Sequence, residues 1–145
     1  MKTLTLDDLK QKVDQPWLRR EYVIGSSVVR RYTEAVGDSN PRWQGENAEV
    51  PPAMLATLGF DGAVSALLEL SDVVLHGSSN LEVYLPVRVG DIISVTTTIS
   101  SVRERQLSIG KSVFITLRQD CSNQRDEKVA SCRQLAVVRL GEDSG

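Results

Sequence analysis

The segment from residue 52 to about residue 70 constrains the fold most, because its side chains are apolar around nearly the whole circumference of a helix. Its large apolar residues are Met54, Leu55, Leu58, Val64, Leu67 and Leu68, and its charged residues are Asp61 and Glu69. A helix without a polar face has to be buried against other elements. Gly59 and Gly62 weaken it, so we expect a break or a close backbone approach near residues 60–61. The sequence therefore predicts a central apolar helix that the rest of the chain covers.

Strand-like segments supply that cover. Residues 81–85 alternate apolar and polar side chains, and the later segments are rich in Ile, Val and Thr. We predict one strand before the helix, at 21–24, and four after it, at 81–85, 91–102, 111–121 and 129–140. The last four are expected to join by hairpins, with residues 76–80 as a loop and 103–110 as a polar connection. The predicted class is α+β, with an antiparallel sheet wrapped around the apolar helix.

Both ends of the chain have simple predicted structures. Thr5 is placed to cap a short helix that has two acidic residues in its first turn and runs to about Val13. Pro16 is expected to end this helix, and Trp17 to pack it on the body of the protein. The polar tail, residues 141–145, is expected to fray. At 145 residues and 41% hydrophobic content, residues 1–145 are predicted to form a single domain with a real core.

Composition excludes several classes of function. A net charge of −2 offers no basic surface for nucleic acid, and no apolar run is long enough to cross a membrane. No signal-peptide pattern opens the sequence, so we expect a cytoplasmic protein. Cys121 and Cys132 lie in candidate neighbouring strands and are expected to be reduced, buried thiols. With one histidine and no Cys/His spacing, we expect neither a metal site nor a cofactor.

The stretch from residue 32 to residue 43 carries most of the functional information. Before it, Val28, Val29, Tyr32, Ala35 and Val36 form an apolar stripe at helical spacing. Ser26 or Ser27 is placed to cap this helix, and Gly37 stands where it would end. Asp38-Ser39-Asn40-Pro41 then predicts a tight turn that fixes the position of the aspartate. Asp38 is therefore either a capping residue of the turn or a positioned carboxylate with a chemical role.

The motif Tyr-x-x-Ala-Val-Gly-Asp-x-Asn-Pro resembles the signature of MaoC-like dehydratases, the (R)-specific enoyl-thioester hydratases with a hot-dog fold. Within that family it is most similar to the branch related to fatty-acid-synthase type I dehydratases. Pro51-Pro52 and the later Pro86-Val-Arg-Val-Gly-Asp stretch support the resemblance, which runs from about Tyr22 to Arg139. The resemblance implies one hot-dog domain that handles an acyl thioester of CoA or a carrier protein. The implied reaction is reversible addition of water to a 2-enoyl thioester.

The resemblance also implies roles for the polar residues of the motif. Asp38 would activate water and Asn40 would orient it, unless these side chains only brace their turn. In the hydratases a histidine stands five residues after the aspartate, and here that position is Trp43. Trp43 cannot transfer protons at neutral pH and is expected to line the acyl pocket or the core. Arg42 is a candidate for binding the CoA phosphates, the alternative being a solvated surface arginine.

Two further groups complete the predicted site. The amides of Ala53 and Met54 follow two prolines at a helix start and could hold the thioester oxygen. A plain proline-started helix is the alternative. His76 could supply the proton transfer that Trp43 cannot, if its loop lies beside Asp38. Otherwise it bonds a local carbonyl or faces water.

Three functions remain open from the sequence. The first is a hydratase or dehydratase of acyl thioesters, with Asp38, Asn40 and His76 as catalytic candidates. The second is a catalytically silent subunit that shapes the acyl tunnel for a related chain with an intact Asp/His pair. The third is a hot-dog thioesterase that uses a carboxylate without a histidine. Long edge strands predict a homodimer, or a heteromer with a related hot-dog subunit, because unpaired strand edges favour association.

Overall fold

The computed structural model describes residues 4–108 and 110–140. The predicted frayed tail, residues 141–145, lies outside them. In chain order the elements are α1 (Leu6–Gln11), β1 (Pro16–Val23), α2 (Ser26–Val36), a 3₁₀ turn (Pro41–Trp43), α3 (Pro52–Leu55), α4 (Phe60–Leu67), β2 (Val73–Val83), β3 (Ile92–Leu107), β4 (Gly110–Ser122) and β5 (Lys128–Arg139). None of the described helices combines the length and the apolar character that a membrane span needs.

The five strands form one antiparallel sheet in the order β1-β3-β4-β5-β2. This confirms the predicted α+β class. Hairpins join β3 to β4 and β4 to β5, as expected, but the predicted hairpin between β2 and β3 is wrong. β2 pairs with β5 at one edge, whereas β3 pairs with β1 and β4 near the other. The connection after β2 therefore crosses the sheet instead of turning back.

Three predicted strand limits need correction. β1 begins at Pro16, which an edge strand tolerates at its first residue because the missing N–H breaks no interior ladder. The predicted loop at residues 76–80 is strand, with a bulge between His76 and Ser78. Gly77 permits this bulge, since a Cβ there would lie 2.9 Å from Leu135 Cδ2. The polar residues 103–105 continue β3, because they pair with β4 up to the hairpin.

The predicted single apolar helix is two helices, α3 and α4. The break falls at Gly59, whose φ of 81° is left-handed and whose added Cβ would lie 2.9 Å from Val95 Cγ1. The break and the close approach are confirmed. The expectation of burial on all sides is wrong: Met54, Leu55, Ala63 and Leu67 are buried, but Leu68 is 47% exposed. The sheet covers one side of these helices in the isolated chain and leaves the other side open.

A row of polar side chains divides the core into two apolar clusters. Thr97, Gln119 and Gln134 are each about 2% exposed or less and point inward from β3, β4 and β5. On one side of this row α2 and α3 pack against Val95 and its neighbours, and on the other α1 and α4 pack against Ile99 and its neighbours. The polar row lies below the break between α3 and α4.

Hydrogen bonds tie this row to the helix break. The Gln134 amide nitrogen donates to the Ala56 carbonyl at 2.9 Å and to Gln119 Oε1 at 2.8 Å. Its amide oxygen accepts from Ser79 Oγ at 2.9 Å. The Gln119 side-chain nitrogen lies 3.5 Å from Thr97 Oγ1. Gln134 therefore connects the sheet to the turn between the two helices.

The N-terminal helix has the predicted cap. Thr5 accepts from the Asp8 amide, and the Asp8 carboxylate accepts from the Thr5 amide, which makes a capping box. The helix ends at Gln11, earlier than predicted, and Val13 instead forms an isolated bridge with Ile99. Leu9 is fully buried in the cluster that Trp17 also packs against.

The two cysteines are free and buried, as predicted. Burial is the main cause that raises the pKa of the Cys121 thiol to about 12 from its ordinary 9.0. Burial also raises the pKa of Cys132. Across the described residues, no cluster of His, Cys, Asp or Glu side chains is suited to holding a metal ion.

Candidate functional site

The helix α2 positions the aspartate of the motif. It ends at Gly37, whose φ of 72° is left-handed, and the amide of Asp38 then donates to the Thr33 carbonyl at 2.8 Å. This confirms the predicted helix end and turn. The predicted cap by Ser26 or Ser27 is wrong, because Gly25 occupies the cap position and no side chain bonds there.

The buried face of α2 is narrower than the apolar stripe predicted from the sequence. Val29 and Thr33 are buried and Tyr32 is partly buried, but Val28 is 44% exposed and Val36 is 57% exposed. The buried residues Val29 and Thr33 lie on the side of α2 that also borders an open cleft, whereas Val28 and Val36 lie outside its wall.

Asp38 and Asn40 both organise the turn. Asp38 Oδ1 accepts from the Asn40 amide at 3.0 Å, and Asn40 Oδ1 accepts from the Arg42 amide at 3.0 Å. Asn40 thereby caps the 3₁₀ turn. Asp38 Oδ2 accepts a further bond, at 2.9 Å, from the indole Nε1–H of Trp43. The position that holds histidine in the hydratases is therefore in direct contact with the aspartate, through a group that only donates.

Asp38 and Trp43 border a cleft of about 850 Å³ between α2 and residues 43–48. Val29, Ala48 and Val89 contribute its apolar surface, and Asp38 and Trp43 form part of its wall. Other charged residues of the wall are Arg30, Glu34 and Glu46. The cleft thus combines an apolar interior with an exposed carboxylate, a composition that suits an acyl chain joined to a polar group.

Arg42 lies beside the cleft and is paired with a carboxylate. Its guanidinium contacts Glu49 Oε2 at 2.7 Å and lies 5.1 Å from the centre of the Trp43 ring. Arg88 reaches the other oxygen of Glu49 at 3.4 Å. Sequence reasoning missed Glu49, because its pairing with Arg88 depends on a bridge between residues 39 positions apart. Only the charge of Arg42 and its place next to the motif pointed to this cluster.

The two predicted oxyanion amides do not form a donor pair. The Met54 amide donates to the Pro51 carbonyl at 3.0 Å, so the expectation that it is free to hold a thioester oxygen is wrong. Ala53 is exposed at the start of α3. Neither residue borders the cleft that contains Asp38.

His76 lies on the edge strand β2, away from the residues of the motif. Its Nε2 is 2.7 Å from Ser79 Oγ, and its ring packs edge-on against Phe60 with 5.3 Å between centres. It is exposed and takes no part in the wall of the cleft. Within one protomer the fold brings Asp38, Asn40, Arg42 and Trp43 together and leaves His76 outside this group.

Sequence relatives match most of this chain, and solved structures share its architecture. A UPF0336 protein of Streptomyces coelicolor is 27% identical over 138 residues, which cover 85% of this chain and 89% of that protein. The C-terminally truncated HadBC (3R-hydroxyacyl-ACP dehydratase) complex of Mycobacterium tuberculosis contains a chain with a TM-score of 0.69 and 18% identity, covering 87% of this chain and 98% of its own. A MaoC-like dehydratase of Rhodospirillum rubrum matches with a TM-score of 0.69 and 20% identity, covering 94% and 97%.

The sequence also matches a family model, described as the FAS1-like dehydratase domain region, over residues 15–132. That span includes the motif, both core helices and most of the sheet. The structural matches place the sheet and helices in the hot-dog fold. The chain therefore belongs to the FAS1-like dehydratase family and has the hot-dog fold that its motif predicted.

Proposed function

We propose that this chain is the acyl-thioester-binding subunit of a heteromeric dehydratase, in which a related hot-dog subunit supplies the acid–base pair. The ligand is a 2-enoyl or 3-hydroxyacyl thioester of CoA or of a carrier protein. One observation carries the proposal: the indole of Trp43 donates to Asp38 where the hydratases have a histidine. The chain retains a cleft for the acyl group and lacks the histidine of the Asp/His pair.

The chemistry explains why this substitution matters. Hydration adds water oxygen to C3 of the enoyl thioester and a proton to C2, so a base and a proton donor must face the same two carbons. An indole N–H neither accepts nor gives up a proton at neutral pH, so Trp43 cannot serve as the general acid or the general base. Both oxygens of Asp38 already accept N–H bonds from the turn and from the indole. His76, the single histidine, lies on β2 outside the cleft.

The binding half of the site supports the same proposal. The cleft has a volume of about 850 Å³ and apolar residues in its wall. This is within the usual range for a pocket that takes a small organic ligand. The HadBC neighbour is a complex of subunits and is named as a 3R-hydroxyacyl-ACP dehydratase, which favours a heteromer for this chain as well. The free, buried thiols fit a reducing compartment, so the proposal places the protein in the cytoplasm.

The experiment compares the chain alone with the chain coexpressed with a hot-dog protein that retains the Asp/His pair. Hydration of crotonyl-CoA and longer enoyl-CoA substrates is followed by loss of the enoyl-thioester absorbance. We expect no turnover by the chain alone, thioester binding by the chain alone, and turnover by the heteromer. Asp38→Asn should lower heteromer turnover by much less than the ~100-fold expected of a lost base, because it disturbs the cleft wall and not the acid–base pair. The matched control Glu34→Gln, an exposed carboxylate outside these hydrogen bonds, should have the smaller effect of the two.

A second candidate is a hydratase that works without a partner, with Asp38 as its base. The exposed position of this carboxylate in the cleft wall favours it. Turnover by the purified chain, reduced at least about a hundredfold by Asp38→Asn and unchanged by Glu34→Gln, would establish this candidate and refute the partner-subunit proposal.

A further inference from the structure

Trp43 borders two cavities, and it is the described residue that their walls have in common. The first is the cleft beside α2. The second has a volume of about 260 Å³ and lies between the start of α3 and the end of β2 with its following loop. Leu55, Val83, Leu85 and Val87 give this second cavity its apolar wall. The second cavity, which also has Arg42 and Glu49 in its wall, thus meets the same Trp43 side chain as the cleft.

Polar contacts at the surface, as well as core packing, hold the Trp43 ring in this wall. The indole N–H bonds Asp38 Oδ2 at 2.9 Å, and the backbone amide of Trp43 bonds the Asn40 carbonyl at 3.1 Å. The Arg42 guanidinium lies over the ring at 5.1 Å and is itself held by Glu49. The backbone bond positions the Cα of Trp43, and the two side-chain contacts hold the indole in this wall.

We infer that Trp43 sets the length of the acyl chain that the cleft accepts, by closing the cleft off from the second cavity. The inference rests on the proposed acyl-thioester binding and adds the residue that determines its selectivity. An alkyl chain entering the cleft meets the flat indole, and the apolar cavity beyond it stays unavailable. With a smaller side chain at position 43 the two cavities join, and further methylene groups become buried.

The magnitude follows from the burial of methylene groups. Each methylene buried adds ~0.8 kcal/mol of binding free energy, which is about a fourfold gain in affinity. For the parent chain we therefore expect the affinity for saturated acyl-CoA ligands to rise about fourfold per methylene and then to stop rising. The plateau marks the length at which the chain end reaches the indole.

The test measures the dissociation constants of a series from butyryl-CoA to palmitoyl-CoA by titration calorimetry. We expect Trp43→Ala to move the plateau to a longer chain by several methylenes, and Trp43→Phe to keep it near the parental length. Trp43→Leu, which retains more apolar bulk should Trp43→Ala fail to fold, is expected to give an intermediate shift. In the double variant Trp43→Ala/Val83→Trp the second cavity is filled from its exposed side, so the plateau should return to the parental length.

Two results overturn the inference in distinguishable ways. A plateau at the parental length in both Trp43→Ala and Trp43→Leu would refute the role of Trp43 and leave the proposed binding intact. No binding of any acyl-CoA or of the corresponding acyl-carrier-protein thioesters by the parent chain would refute the proposed function, and the inference with it. If the plateau of the double variant stays at the longer chain length of Trp43→Ala, the extra methylenes do not enter the second cavity. This result also contradicts the inference.

Discussion

Replacing Gln134 by leucine should destabilise the fold through the polar row that divides the core. The side chain of Gln134 is 2% exposed and makes hydrogen bonds to Ala56, Gln119 and Ser79. Leucine has a similar size and cannot replace any of these bonds. The perturbation therefore removes hydrogen bonds and leaves the apolar clusters on either side in place.

The expected cost follows from the exposure of the groups left behind. Gln119 is 1% exposed, so its Oε1 loses its donor and has no water to replace it. The carbonyl of Ala56 is half-buried and recovers part of its loss from solvent, and Ser79 is exposed and keeps its contact with His76. A buried acceptor left unpaired costs about 1–3 kcal/mol, and the added apolar burial offsets part of this. We expect the free energy of unfolding to fall by about 1–2 kcal/mol.

Urea unfolding followed by circular dichroism measures this change, since the midpoint should fall while the slope stays constant. Gln106→Leu, at an exposed position of β3, is the matched control and should stay within about 0.5 kcal/mol of the parent. The double variant Gln119→Leu/Gln134→Leu should recover at least half of the loss, because the unpaired Gln119 oxygen is then absent. The reasoning would be refuted if Gln134→Leu had the stability of the parent. It would also be refuted if the double variant lost more free energy of unfolding than the two single variants together.

Three other predictions concern stability. Gly59→Ala should lower the free energy of unfolding by about 3 kcal/mol, because it combines a left-handed φ with a Cβ 2.9 Å from Val95. Gly37→Ala has a left-handed φ but open space around its Cβ, and it should lower this free energy by about 1 kcal/mol. Equal shifts in melting temperature for the two variants would contradict this. The raised pKa of Cys121 stabilises the fold fully below pH 9.0, and this contribution is lost as pH rises toward about 12. The urea midpoint should therefore fall more steeply between pH 8 and 10 in the parent than in Cys121→Ala, and parallel slopes would exclude this role. Thr5→Ala should lower the free energy of unfolding by about 1 kcal/mol and Thr5→Ser should leave it unchanged, and a neutral Thr5→Ala would show that the capping box contributes nothing measurable.

Local signals determined the parts of the fold that depend on neighbouring residues. The cap at Thr5, the helix end at Gly37 and the break near Gly59 all follow from residues a few positions apart, and all three are confirmed. The predicted strand at 111–121 is also present as β4, with Val113, Ile115, Leu117 and Cys121 buried on its inward face. The motif around Asp38 identified the family that the comparisons confirm.

The residues of the candidate site that follow one another in the chain could be predicted from the sequence. The contacts that depend on segments distant in the chain could not. Asp38, Asn40, Arg42 and Trp43 lie within one turn and were identified together, but the pairing of Trp43 with Asp38 needed the structure. Local preference predicts a loop at His76, because Gly77 and Ser78 favour turns, whereas pairing with β5 makes this segment a strand. Backbone hydrogen bonds from a neighbouring strand outweigh a weak local preference.

The sequence alone determined the α+β class, the helix–turn that carries Asp38 and the apolar content of α3 and α4. Only the tertiary structure decided that the connection after β2 crosses the sheet, which side of those helices stays exposed, and that Trp43 borders two cavities. Helical periodicity and turn chemistry act over a few residues and can be read in order along the chain. Strand order, cavity walls and buried polar rows depend on segments distant in sequence, and they exist only once those segments pack together.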